Sequence, residues 1–99
     1  MLNINKETNG NELKIALEGR LDTMSAPQLE GELKGNVDGI TSLIFDINNL
    51  EYISSAGLRV LLSAQKVMNK QGSMVIRGAN DDIMEIFEVT GFSDILTIE

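Results

Sequence analysis

The sequence predicts an α/β fold: a mixed β-sheet of about four to five strands with about three to four α-helices packed on it. Two observations carry this expectation. After two alternating stretches at the start, segments of strand periodicity and of helix periodicity take turns along the chain, the pattern of a sheet joined by crossover helices. The chain has 99 residues, 42% of them hydrophobic and only 4% aromatic, enough apolar material for one core in one domain. Residues 1–99 are therefore expected to form a single domain.

Leu2 and Ile4 alternate weakly with polar neighbours, and Leu13, Ile15 and Leu17 alternate well against Lys14 and Glu18. Asn9-Gly10 lies between them and tolerates the positive φ angles of a type I′ turn, so a β-hairpin is expected. The period then changes, because Ala26, Leu29 and Leu33 share a helical face that Val37 extends. Ser25 with Gln28 three residues on fits a capping box, and Pro27 is tolerated in the first turn. Gly31 and Gly35 each weaken this helix by about 1 kcal/mol relative to alanine.

Thr41 to Ile47 is a nearly continuous apolar run, the mark of a central strand covered on both faces. From Ala56 to Lys70 a second helix is expected, mostly covered, with Arg59, Ser63, Lys66 and Lys70 along one exposed edge. Gly72 stops it, and "SMVIRG" supplies another short strand. The last helix is expected after an Asn80 N-cap, with Asp81 and Asp82 in its first turn, Ile83, Ile86 and Phe87 inward and Gly91 at its C-cap. "DILTIE" is expected to add a last short strand.

The formal net charge of −7 opposes binding to nucleic-acid phosphate or to an anionic membrane surface. The chain has neither cysteine nor histidine, which removes disulfides, thiolate chemistry, most metal sites and most general-base mechanisms. No cofactor is expected. No run approaches the roughly 18 apolar residues of a membrane span, and the first ten residues lack the basic and apolar regions of a signal peptide. A cytoplasmic location is expected.

After Ile47 the strand-like apolar residues stop, a short polar connection follows, and a helix pattern begins within two residues of the serine pair Ser54 and Ser55, in "EYISSAGLRVLL". One reading is capping, in which a serine oxygen accepts a free N–H of the first turn, worth about 1 kcal/mol. Nucleophilic catalysis is disfavoured: no G-x-S-x-G elbow surrounds either serine, no histidine completes a triad and no S-x-x-K motif is present. The third reading is a modification site, because a helix start offers unpaired N–H groups and a positive dipole end to a phosphate.

"LIFDINNLEYISSAGLRVLL" resembles the central motif of the STAS domain family, and in particular of the small bacterial anti-sigma factor antagonists. "KIALEGRLDTMSAPQLEGEL" resembles the second strand, G-x-L-D turn and first helix of that family, and "IMEIFEVTGFSDILTI" its final helix, glycine and last strand. The resemblance implies a STAS-like fold and a protein that is no enzyme but the substrate of its partner, an anti-sigma factor that is also an ATP-dependent serine kinase. The phosphorylated serine of the family falls on Ser55, ahead of Ala56 and Gly57. Ser54 stands where the family often has Asp, which makes it the second candidate. The acidic residue of the family's G-x-L-D turn falls on Asp22, and the one at the end of the strand that precedes the serine pair falls on Asp46. Unphosphorylated protein would bind the anti-sigma kinase and free a sigma factor, phosphorylated protein would let go, and a PP2C-type phosphatase would reset it. Such partner exchange is simplest for a monomer.

Arg59, Lys66 and Lys70 form a basic strip that starts beside Ser55 and is either a solvated face or part of the partner contact, Arg59 and Lys66 being the contact candidates. Asp22 and Asp46 either accept turn hydrogen bonds or shape the kinase-facing surface, with a metal brought by the kinase as a further option. Met24, Met68, Met74 and Met84 read as core filling, Met24 being the one suspected of a partner contact. Two other functions compete: a STAS-like accessory subunit of a lipid-transport ATPase, without a phosphorylation cycle, and a small-molecule or nucleotide sensor. The latter would call for a phosphate cradle richer in glycine than "SSAGLR".

Overall fold

Strand-forming and helix-forming segments alternate as expected in a computed structural model of the chain, which describes residues 2–99. They run β1 (Leu2–Asn9), β2 (Glu12–Leu21), α1 (Ala26–Leu33), β3 (Ser42–Ile53), α2 (Ser55–Gln71), β4 (Ser73–Arg77) and α3 (Asp81–Thr90), then a 3₁₀ turn at Phe92–Asp94. The strands form a mixed sheet in the order β1-β2-β3-β4, with β1 antiparallel to β2 and the other pairs parallel. Spatial order equals chain order, so right-handed crossovers put α1 and α2 on the same face.

That face holds the core. Leu13, Ile15, Leu43, Phe45, Met74 and Ile76 lie on it, each 2% exposed or less, and pack with Leu29 of α1, Leu61 and Met68 of α2, and Ile83 and Phe87 of α3. On the opposite face the expectation of a strand covered on both sides holds at Ile44, by a different cover from that of the core. There β3 places Ile44 between Lys14 and Val75, and Ile44, though only 7% exposed, is no member of the core cluster.

Several boundaries shift for local reasons. The hairpin loop is Gly10-Asn11, because Asn9 pairs with Glu12; Gly10 has φ +64° and among the described residues no non-glycine residue has a positive φ, which fits type II′ and excludes the expected type I′ turn. The expected Ser25–Gln28 capping box is absent: Ser25 caps nothing with its side chain, and Gln28 Nε2 donates to the Leu2 carbonyl at 3.3 Å. Helix α1 stops at Leu33, leaving Val37 beyond it and Gly35, with φ +78°, in the following turn. The expected last strand shrinks to one bridge, Ile98 beside Ile76.

The largest difference lies in β3, which continues through the polar residues read as a connection and ends at Ile53. Its register against β2 slips twice, from Ala16/Asp46 to Glu18/Asn49 and from Gly19/Leu50 to Arg20/Tyr52, so β3 carries an extra residue at each place. Such bulges increase twist and break the alternation that marks a strand in sequence. They also bring Ile53 opposite Leu21, so that β2 and β3 finish together.

Two glycines secure α2 to the sheet. At Gly57 a Cβ would lie 2.7 Å from Leu21 Cγ and 2.9 Å from Ile53 Cγ1, and at Gly72 it would lie 1.9 Å from the Thr41 carbonyl oxygen. That carbonyl accepts from the Ser73 N–H at 2.9 Å and has little freedom to retreat. Gly72→Ala is expected to lose about 3 kcal/mol. Gly31→Ala, where a Cβ meets nothing within 4 Å, is expected to gain about 0.8–1 kcal/mol. Urea unfolding of both variants measures the contrast.

Candidate functional site

The C-terminal ends of parallel strands are where open α/β sheets present their functional loops. Here β2 and β3 end side by side, and the Ser54 N–H donates to the Leu21 carbonyl at 2.9 Å, joining the β3–α2 junction to the β2–α1 turn. Ser54 is the N-cap of α2 in extended geometry, φ −100° and ψ 176°. Its Oγ accepts from the Gly57 N–H at 3.4 Å and its carbonyl from the Leu58 N–H at 2.9 Å. Ser55 is the first helical residue, exposed, and takes no part in the cap. The first turn of α2 contains no acidic residue, in contrast to α3, which begins Asp81-Asp82.

The turn beside it is tied by Asp22. Its Oδ1 accepts from the backbone N–H of Met24 at 3.0 Å and from that of Ser25 at 3.1 Å, and lies 3.2 Å from Ser25 Oγ. The Asp22 N–H in turn donates to Ser25 Oγ at 2.9 Å, and that hydroxyl reaches the Arg20 carbonyl at 2.7 Å. These donors, the Ser25 N–H foremost, hold the Asp22 carboxyl below the usual value of 3.8. Ser25 is thus spent on the turn, which explains the missing capping box.

The tied turn lifts Met24 out of the core, 88% exposed, against the expectation of core filling that Met68 and Met74 meet at 0% and 2%. A large apolar side chain held outward in the turn next to the β3–α2 junction offers contact area to a partner. Two residues that sequence reasoning passed over stiffen the strand ends: Arg20 and Tyr52 are cross-strand partners, with the guanidinium carbon 4.5 Å from the ring centroid and Arg20 Nε 3.9 Å from Asp22 Oδ2. The position of each just before its junction was visible, but their pairing depends on the bulges.

Of the candidate residues, Asp22, Met24, Ser54, Ser55, Ala56, Gly57 and Arg59 gather at this end. Gly57 is buried against Leu21 and Ile53, while Thr23, Ala56 and Arg59 line one shallow groove between α1 and α2. Lys66 is exposed eleven residues past Ser55, about 16 Å along α2. Asp46 stands apart. It lies in the middle of β3 rather than at its end, opposite Ala16 and Arg77, about 20 Å along the strand from Ile53, and its Oδ1 accepts from the Asn48 N–H at 3.0 Å. Among the described residues no three acidic side chains converge as a metal site would need, and no helix is long and apolar enough to cross a membrane.

Comparison with known proteins places these features in a group. The family model described as the STAS domain matches residues 3–99. The chain is 40% identical over 88 residues to BtrV of Bordetella bronchiseptica, assigned as an anti-sigma factor antagonist, covering 87% of this chain and 76% of that one. It is 28% identical over 98 residues to the anti-sigma-B factor antagonist of Bacillus subtilis, covering 98% and 90%. Among solved structures, an anti-sigma factor antagonist from Mycobacterium paratuberculosis superposes with a TM-score of 0.89 at 19% identity, covering 99% and 85%. The phosphorylated form of the Bacillus cell fate determinant SpoIIAA superposes with a TM-score of 0.76 at 16% identity, covering 98% and 91%. At these identities the structural likeness is one of fold.

Two outcomes separate the roles of these residues. Ser54→Ala removes the cap and is expected to cost about 0.5–1 kcal/mol, whereas Ser55→Ala should leave stability within about 0.5 kcal/mol, both read by urea unfolding. Because the folded Asp22 carboxyl titrates lower than the unfolded one, its contribution is fully present above pH 3.8 and is lost as pH falls through the folded value. The stability difference between the natural protein and Asp22→Asn should therefore be constant at neutral pH and close below pH 3.8, as followed by thermal melts across pH.

Proposed function

The chain belongs to the STAS domain family, and from that premise we propose that it is an anti-sigma factor antagonist whose hold on its partner is switched by phosphorylation of Ser55. The single observation that carries this reading is the division of labour in the serine pair: Ser54 is committed to the cap, while Ser55 stands exposed at the first helical position. The names of the relatives in Bordetella and Bacillus support the antagonist role.

In this reading the protein is a substrate and does no catalysis. The Ser55 hydroxyl takes the γ-phosphoryl group of ATP on a partner that is both anti-sigma factor and kinase, giving up its proton as ADP leaves. Hydrolysis by a PP2C-type phosphatase returns the hydroxyl and inorganic phosphate. The phosphoserine is tolerated by the fold because it sits at the positive end of a 17-residue helix with no first-turn acid to oppose it. Arg59, four residues on, lies on the same helical face and is exposed, within reach of a charge-assisted bond to phosphate. The exchange takes place in the cytoplasm.

Release follows from charge. A phosphate adds about −1.5 to −2 charges at the centre of the contact, on a protein already at −7. A hundredfold loss of affinity requires about 2.7 kcal/mol, within what repulsion and desolvation of one dianion supply at an interface. The test is affinity capture on Ser55→Ala, which cannot be modified, followed by calorimetric titration of the captured anti-sigma factor. Ser55→Ala is expected to bind as the unphosphorylated protein does, and the protein phosphorylated on Ser55 about a hundredfold more weakly. Equal binding by both would overturn the switch, and capture of a transport ATPase instead would favour the accessory-subunit role.

A further inference from the structure

Between α1 and α2 runs a groove of about 310 Å³ lined by Leu33, Val37, Val60, Ala64 and Val67, with Glu30 and Lys34 as its charged lining. It is the direct continuation of the groove that starts at Thr23 and Ala56, the two sharing Glu30, Val60 and Ser63. An apolar channel thus leads away from the serine junction along the helix that Ser55 begins. Val67 is 40% exposed inside it, an unusual position for valine on an otherwise polar helix edge.

One acid, Glu30, lines the channel against two cations, Lys34 and Arg59, so its charge leans opposite to that of the molecule. The chain carries 8 Lys and Arg against 15 Asp and Glu. Lys34 lines the channel, Arg59 lines its upper end, and Lys66 and Lys70 follow on the exposed edge of α2. None of these four cations pairs with a carboxylate among the described residues, whereas Lys6, Arg20 and Arg77 do. Apolar lining with an unpaired cationic rim is complementary to a helix with an apolar face and acidic flanks. A membrane surface fits less well, because it is flat while this site is concave between two helices, and because the net charge of −7 opposes approach to anionic lipid.

We infer that the α1–α2 groove is a second docking site for the partner engaged at Ser55, and that its occupant is an amphipathic, acidic-flanked helix of that partner; this rests on the partner-exchange reading above. The two sites then differ in kind. The junction around Ser55 and Met24 responds to phosphate, while the groove, whose charged rim extends about 20 Å down α2, supplies affinity that phosphorylation leaves largely in place. A partner released from the junction would keep a weaker hold on the groove.

Site-specific photo-crosslinking in the native cells tests this. A benzoylphenylalanine replaces Met24 in one variant, Val67 in a second and Glu7, on the opposite face of the sheet, in a third, and the cross-linked peptides are sequenced by mass spectrometry. The expected result is the same protein at Met24 and Val67 but not at Glu7, with the Val67 peptide an apolar helix flanked by Asp and Glu. With that protein purified, Lys66→Glu/Lys70→Glu should weaken binding about tenfold whether or not Ser55 is phosphorylated. A cross-link at Met24 with none at Val67 would overturn the groove and leave the partner-exchange reading standing. Lipid, a second copy of this chain or a basic segment at Val67 would overturn it equally, and no partner at either position would remove both. Val67→Ser, a milder change at a half-exposed site, checks by circular dichroism and binding that any loss comes from the groove and not from unfolding.

Discussion

The parallel pairing of β2 and β3 to their last residues, closed by the Ser54 N–H on the Leu21 carbonyl, is the constraint on which the site depends. Two bulges in β3 let it reach that point in step with β2 despite its extra residues. The β2–α1 turn and the start of α2 are therefore held next to each other by backbone, not by the side chains that do the recognising. Leu21 and Ile53, buried under Gly57, fix the angle at which α2 leaves the sheet. Side chains on this platform, Met24 and Ser55 above all, are free to be exposed because the fold asks nothing of them.

On the proposed function, the serine pair divides two jobs that one residue cannot do together. A cap needs its oxygen turned toward the first-turn N–H groups; a phosphate acceptor needs it turned outward to a kinase. Ser54 does the first and Ser55 is left available for the second. The resemblance to the STAS family, where Asp often precedes the modified serine, has the same physical logic, since Asp and Ser are both strong N-caps. A serine at position 54 keeps the cap while leaving one negative charge fewer at the junction.

Most of the architecture was legible from periodicity: the hairpin, both crossover helices, the Asn80 and Gly91 caps and the core set are where the apolar spacing puts them. What was hidden has particular causes. The far half of β3 was read as a polar connection because bulges break its alternation, and the Arg20–Tyr52 pair was invisible for the same reason. Ser25 was read as a capping residue because the spacing to Gln28 was right, yet Asp22 claims its hydroxyl first, a competition that only three dimensions settle. Met24 looked like core by composition and is outside because the Asp22 turn holds it there. Within the site, the residues near Ser55 were marked by local motif, whereas the groove along α2 arises from two helices that no local pattern relates.

The central claim is that the two hydroxyls are inequivalent, one structural and one chemical. Phosphosite mapping by mass spectrometry on protein isolated from its native cells, growing and stressed, tests it most directly. The account predicts phosphate on Ser55, rising and falling with condition, and none on Ser54. Phosphate on Ser54, or on neither serine in every condition, would contradict it.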